Sequence, residues 1–181
     1  MGRTAKITRD GLLNVAEGIV RSRGGAALTI GALARAAGVS KGGVQYSFAS
    51  KDAIVRALID RWTAQFDDLL GDPPPDDPVR FVQRYIAATR ASQQALDAKM
   101  AGLLVSYLED PANLRETRDW YRGVFARLTG DGLEARAARV AFLAVEGLFL
   151  MRINGLDDEN SWSDLMDDVE VILLKLVGTP E

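Results

Sequence analysis

The chain of 181 residues contains no histidine and no cysteine, the side chains that most often move protons or hold zinc near neutral pH. No Ser-His-Asp triad, thiolate nucleophile, imidazole base or Cys/His zinc site can be assembled from it. Catalysis would have to run on carboxylates, Lys, Tyr or Ser. The carboxylates come in runs at Asp67-Asp68, Asp76-Asp77, Asp157-Asp158-Glu159 and Asp167-Asp168. Adjacent residues on a helix point in different directions, and the loop runs lie among prolines or beside Asn160-Ser161. None of them therefore offers two acids to one metal or substrate, and a Glu-x-x-His di-metal pattern is impossible. The sequence predicts no catalytic residue, no metal and no cofactor.

A different chemistry sits between Thr29 and Lys51. Ser40, Lys41, Gly43, Gln45, Tyr46 and Ser47 interleave with the apolar Val39, Val44 and Phe48, so one side of a short helix is polar. Lys41 on its first turn adds a positive charge to the amide donors of a helix start, a combination suited to phosphate. Gly42 and Gly43 are poor helix formers, which makes sense where the backbone must come close to DNA. The Gln45 amide can pair bidentately with an adenine edge in the major groove. Lys41 and Gln45 are thus expected to discriminate bases, with Thr29 and Tyr46 placing the phosphate backbone. Charge agrees: residues 1–61 carry ten Lys/Arg and four acids, +6, while the rest carries twelve bases and twenty-one acids, −9. A basic first third on an acidic body suits a nucleic-acid reader joined to something that avoids nucleic acid.

The elements that must position these residues read as helices throughout. Alanine (25) and leucine (22) dominate, and apolar spacing follows 3 and 4 almost everywhere. A first helix over about residues 8–23 puts Leu12, Val15, Ala16, Ile19 and Val20 on one face. Thr29 caps a short helix over residues 30–37, Gly38 supplies a left-handed corner, and Ser40 caps a second over 41–47, giving helix-turn-helix proportions. Leu33, Ala34, Ala37, Val39, Val44 and Phe48 form the small core. Ser50 caps a longer helix over 51–70 with Ile54, Leu58, Trp62, Phe66 and Leu69 on one stripe. After the Pro73-Pro74-Pro75 break come helices over about 78–95 (burying Phe81, Val82, Tyr85, Ile86 and Thr89), 96–108, 111–128, 133–153 and 162–177. The N-terminus is polar and basic with no apolar run behind it, so no signal peptide is expected, and no apolar run reaches the ~20 residues needed to cross a bilayer. A soluble, cytoplasmic protein without a membrane partner is expected.

The stretch from Leu28 to Leu58 resembles the DNA-binding segment of the tetracycline-repressor (TetR) family of bacterial transcription regulators. The match includes Leu33-Ala34, the Ala37-Gly38-Val39-Ser40-Lys41-Gly42 turn, Phe48, the Ser50-Lys51 cap and the upstream helix from Leu12-Leu13 to Gly24. Many members have Tyr-x-His/Tyr-Phe here, whereas this chain has Gln45-Tyr46-Ser47-Phe48, with Gln45 in place of the first Tyr and Ser47 in place of the His or Tyr, so no known operator sequence transfers. The resemblance implies that Lys51 clamps a phosphate. It also implies a helix-turn-helix domain over residues 1–52 and a helical ligand-binding and dimerisation domain over 53–181.

The apolar run from Val140 to Met151 needs a partner on one face, and the last helix offers a second such surface. By the resemblance, Val140, Leu143, Val145, Leu148 and Met151 would join Leu165, Val169, Ile172 and Leu176 in a homodimer interface. Helices between enclose an effector pocket in the family, which here implies Trp62, Phe66, Phe81, Tyr85, Met100 and Leu104. Tyr107, Trp120, Tyr121, Phe125 and Phe142 complete that set, with Glu146, Arg84 and Arg90 as possible polar anchors. So aromatic a pocket favours a flat or lipophilic effector. The expected partners are double-stranded operator DNA, a small-molecule effector and a second copy of the chain, the protein acting as a repressor. The rival is a helical small-molecule-binding protein or enzyme whose first helices are only structural.

Overall fold

The computed structural model describes residues 7–72, 76–93, 103, 107, 110–154, 156 and 161–178. Their regular structure is all-helical, as the spacing predicts. It comprises α1 (Arg9–Arg23), α2 (Ile30–Ala37), α3 (Lys41–Ser47), α4 (Lys51–Leu70), α5 (Pro78–Gln93), α6 (Pro111–Arg127), α7 (Leu133–Ile153) and α8 (Ser161–Val177), with a 3-10 turn at Gly25–Ala27. Leu103 and Tyr107 are also helical, whereas the remainder of the segment expected as a helix over 96–108 lies outside the described residues. The chain forms two compact units, Met1–Ala64 with Lys99–Tyr107, and Gln65–Ala98 with Leu108–Glu181. No helix among the described residues is long and apolar enough to cross a membrane.

In the first unit, local signals set the helix ends. Thr8 Oγ1 accepts from the Gly11 amide at 3.0 Å and starts α1. Gly24, at φ 80°, stops it, a conformation that favours glycine. The buried face of α1 is Leu12, Leu13, Ala16, Ile19 and Val20. Leu13 thus takes the place expected for Val15, which is only half-buried. α1 packs on α2 and α2 on α3. Leu28, Leu33, Val44, Ile54 and Leu58 are fully buried at the centre, and removing each such side chain from water contributes roughly 1.5–3 kcal/mol. Arg61 near the end of this unit holds α1 from the side: its guanidinium donates to Asn14 Oδ1 at 2.7 Å and lies 3.4 Å from Asp10 and 3.7 Å from Glu17.

In the second unit α7 packs on α5 and α8, and α5 also meets α8. Asp77 Oδ1 accepts from the Arg80 amide at 2.8 Å to begin α5. Asp110 does the same for α6, accepting from Ala112 at 2.7 Å with Pro111 in the first turn, where a missing N–H is harmless. The core holds Phe81, Val82, Tyr85, Ile86, Leu128, Phe142, Val145, Met166 and Leu173. Leu69, expected inside, is 45% exposed, and its neighbour Leu70 packs into the core instead. One residue is 100° on a helix, enough to swap which leucine points inward.

Candidate DNA-binding face and candidate effector site

The corner between α2 and α3 is built from backbone. Gly38 adopts the left-handed conformation at φ 68°, and the Val39 amide reaches back to the Ala34 carbonyl at 3.0 Å. Thr29 Oγ1 accepts from the Ala32 amide at 3.0 Å, Ser40 Oγ from Gly43 at 3.1 Å and Ser50 Oγ from Ala53 at 3.1 Å. Each cap uses a lone pair and leaves the hydroxyl proton to donate outward. Val44 and Phe48 anchor the inner side of α3, with the Arg9 guanidinium 4.8 Å from the Phe48 ring centre. Lys41, Gly43, Gln45 and Tyr46 are left exposed on the other side, Tyr46 at 86%, while Ser47 and Lys51 are half-buried. The expected set Thr29, Ser40, Lys41, Gly43, Gln45, Tyr46, Ser47 and Lys51 therefore lies on α3 and the helix starts beside it.

Two details of this face are silent in the sequence. A Cβ at Gly31 would stand 3.3 Å from Lys41 Cε, so the lysine side chain lies across the first turn of α2. A Cβ at Gly42 or Gly43 would meet nothing nearer than 3.8 Å and 3.5 Å, ordinary van der Waals contact, and neither glycine has a positive φ. The fold itself does not require these two glycines, although each weakens the helix by about 1 kcal/mol relative to alanine.

The second unit carries a connected set of rings. Tyr85 lies 5.2 Å from Phe66, 6.2 Å from Phe81 and 5.0 Å from Phe142 between ring centres. Tyr121 is edge-on to Trp120 at 5.0 Å and lies 6.3 Å from Phe142, which also meets Phe125 at 5.6 Å. Seven of the expected pocket residues thus come together here. Trp62 and Tyr107 belong to the first unit, and Met100 and Leu104 lie outside the described residues. The Trp62 indole N–H is buried with no acceptor among the described residues. A cleft of about 320 Å³ opens beside the rings, lined by Asp67, Leu70, Phe81, Trp120, Val124 and Arg127 among others.

Two of these rings meet the half-buried Glu146. The Tyr85 hydroxyl donates to its Oε1 and the Tyr121 hydroxyl to its Oε2. Burial first, and then the adjacent carboxylate charge, push both phenols well above the ordinary tyrosine range, so they stay protonated. Sequence reasoning names Glu146 as a polar anchor but misses its two partners, 61 and 25 residues away. Of the other anchors, Arg84 donates to the Leu70 carbonyl at 3.1 Å and Arg90 pairs with Asp167 at 2.5 Å, both structural ties. Burial, with Asp68 beside it, raises the pKa of Asp67. Among the described residues no three acids gather into a metal-binding group.

Of the expected interface residues, Val140 (65% exposed), Leu143, Met151, Leu165, Ile172 and Leu176 stand on the surface of α7 and α8, and Leu148 and Val169 are half-buried. Val145 is the exception: it is 0% exposed within the core, so it has no area left to offer a partner. Leu150, Val171 and Leu174 are exposed beside the others.

A helix-turn-helix with an outward polar helix, joined to an acidic helical unit with an aromatic centre, defines a DNA-binding transcription regulator. Residues 12–58 match the model of the bacterial regulatory proteins of the tetR family, and residues 79–173 that of the C-terminal domain of tetracyclin repressor-like proteins. The chain belongs to the TetR family of transcription regulators. The complex of SmeT with triclosan shares the fold at 19% identity and TM-score 0.57, over 92% of this chain and 90% of that one. So does a TetR transcriptional regulator from Rhodococcus sp. RHA1, at 20% identity and TM-score 0.51 over 98% and 97%. The probable transcriptional regulatory protein RHA5900 does so at 18% and 0.51 over 96% and 100%. No curated protein matches the chain.

Proposed function

We propose that the protein is a cytoplasmic, homodimeric repressor that binds a palindromic operator and is released by a small lipophilic or aromatic effector held in its second unit. The observation that carries the DNA half is the pair Gly42-Gly43. Two helix-weakening glycines stand on an exposed face with room for a side chain, which is understandable where a partner's backbone must approach closely. Lys41 and Gln45 read base edges, and Thr29, Tyr46 and Lys51 seat the phosphates. Ser40, Gly43 and Ser47 shape the same surface.

One short helix reads only a few base pairs, so two copies reading half-sites about 34 Å or more apart give useful specificity. The exposed apolar residues of α7 and α8 support pairing there, since an unpartnered patch of that kind is unusual on a monomer. Effector binding then shifts the dimer toward a spacing that no longer fits the operator. Nothing in this scheme needs a catalytic group.

The test of the reading is operator binding by Gln45→Ala. Affinity for the cognate site should fall by about 1–3 kcal/mol while affinity for scrambled DNA holds; an equal fall on both sites would sink the base-reading role. For the release mechanism, operator DNA must weaken effector binding by the same factor that effector weakens operator binding. Calorimetric titrations giving one effector affinity with and without operator would contradict it.

A further inference from the structure

The backbone gives no reason for the glycine at position 31. Gly31 stands on the first turn of α2, directly after Ile30, and its φ is not positive. Glycine there gives up helix propensity that almost any other residue would supply. The core does not claim the space either. Apart from α2's own backbone and the chain neighbours, a Cβ at Gly31 would meet among the described residues only Lys41, with Cε at 3.3 Å and Nζ at 3.9 Å. The missing side chain makes room for one thing, the end of the lysine that starts α3.

Lys41 is the first residue of α3 and is exposed. Side chains lean toward the N-terminus of their helix, and from a first residue that direction leads off α3 and onto α2. The stem therefore lies against α2, with the ammonium over its first turn. This displaces the charge from Gln45 and Tyr46 toward the end of α2 that Thr29 caps. A stem already laid on a surface also has fewer rotamers to lose on binding than one free in water. The dipole of α2 disfavours a cation at that helix's start, so the lysine rests there by packing of its stem. It is the group that yields if the space is filled.

We infer that Gly31 is a specificity-determining residue of the DNA-binding face that acts through Lys41: by leaving the first turn of α2 bare, it seats the lysine across that helix and so sets which base pair the ammonium meets. The inference deepens the reading of Lys41 and Gln45 as the base-discriminating pair and rests on it. An ammonium donates to the O6 and N7 acceptors of guanine in the major groove. Successive base pairs are about 3.4 Å apart, so moving the stem by the width of one side chain changes the pair it reaches. Gly31 is a positioning residue and needs no contact of its own with DNA.

The test uses the full chain, a duplex that the wild type selects from a random-sequence library, and every single-base-pair variant of that duplex. Lys41→Met keeps a stem of similar length without the charge, and should reduce the preference at one pair of each half-site from about tenfold to under about threefold. Gly31→Leu fills the place of the stem. It should relax the same pair to a similar degree, leave the preferences that survive Lys41→Met unchanged, and melt no lower than the wild type, leucine being the better helix former. In the Lys41→Met background, Gly31→Leu should change the base preferences no further, a coupling that a general weakening of α2 would not produce. Gly31→Ala, whose Cβ moves the stem by a few tenths of an ångström, should relax that pair in the same direction with the least change to α2. Full discrimination by Gly31→Leu and Gly31→Ala at the pair that Lys41→Met relaxes would overturn the inference and leave the regulator reading standing. So would a Gly31→Leu effect that persists undiminished without the Lys41 charge. If Lys41→Met relaxes no pair, its base-reading role fails and the inference with it. If the wild type selects no duplex, the regulator reading itself fails, and both go together.

Discussion

The helix-turn-helix and the aromatic cluster are tied together over different reaches of sequence, although helix caps occur in both units and Arg61 makes long-range ties in the first. Around the helix-turn-helix the ties are short in sequence: Thr8, Thr29, Ser40 and Ser50 each cap a helix through an amide three residues on. In the second unit, the informative ties join distant segments, Tyr85 to Glu146, Tyr121 to Glu146 and Arg90 to Asp167. The charge differs as well, +6 over residues 1–61 against −9 over the rest. A reader that must present a few side chains to a rigid duplex benefits from a frame set by local rules. A sensor needs groups from several helices around one ligand, and those groups can move only if their mutual ties are weaker than the core beneath them.

The largest expected effect tests the core of the sensing unit. Phe142→Ala removes a fully buried ring that touches Tyr85, Tyr121 and Phe125, and should destabilise the second unit by about 3–5 kcal/mol in denaturant titrations. A loss below ~1 kcal/mol would mean that the rings are a loosely filled pocket wall and not a core. Next comes the corner of the reading unit. Gly38→Ala places a Cβ on a left-handed residue and should lower stability by about 1–2 kcal/mol, with operator affinity falling in parallel.

Ser40→Ala deletes the cap of α3, for a loss of about 1 kcal/mol read by thermal melting; an unchanged melt would show that α3 is held by Val44 and Phe48 alone. Gly43→Ala should go the other way, gaining up to about 1 kcal/mol in stability while weakening operator binding. A variant that gains stability and keeps its DNA affinity would remove the reason given for the glycine. The smallest effect is alkaline. The folded pKa of Tyr85 and Tyr121 lies above the unfolded value, so their contribution to stability is full below about pH 10, the ordinary phenol range, and is lost as pH rises above it. Ultraviolet titration of the four tyrosines should show two that resist ionisation until the protein unfolds. In Glu146→Gln they should titrate earlier.

Helix positions were legible wherever an end is set by a residue's own backbone preference or a cap within three positions. Thr29, Gly38, Ser40 and Pro111 fall into this class, and the observed α2, α3 and α6 begin where they predict. The inward faces of α1 and α4 were legible only to within one or two residues, as Leu13 for Val15 and Leu70 for Leu69 show. Burial at a helix edge depends on which neighbour is present, and spacing alone does not say. Val145 makes the same point from inside α7: an apolar run on all sides of a helix does not say which side faces the core.

The sequence by itself determined the helical class, the helix-turn-helix and the polar face of α3, because periodicity, caps and a glycine corner act over three or four residues. The absence of histidine and cysteine likewise settled which chemistries are out of reach. Only the tertiary structure decided that seven aromatic residues from α4 to α7 share one cluster, that Lys41 lies over Gly31, and that Glu146 accepts from two tyrosines. Such contacts join residues tens of positions apart, and their partners are chosen by helix packing, which no local rule encodes.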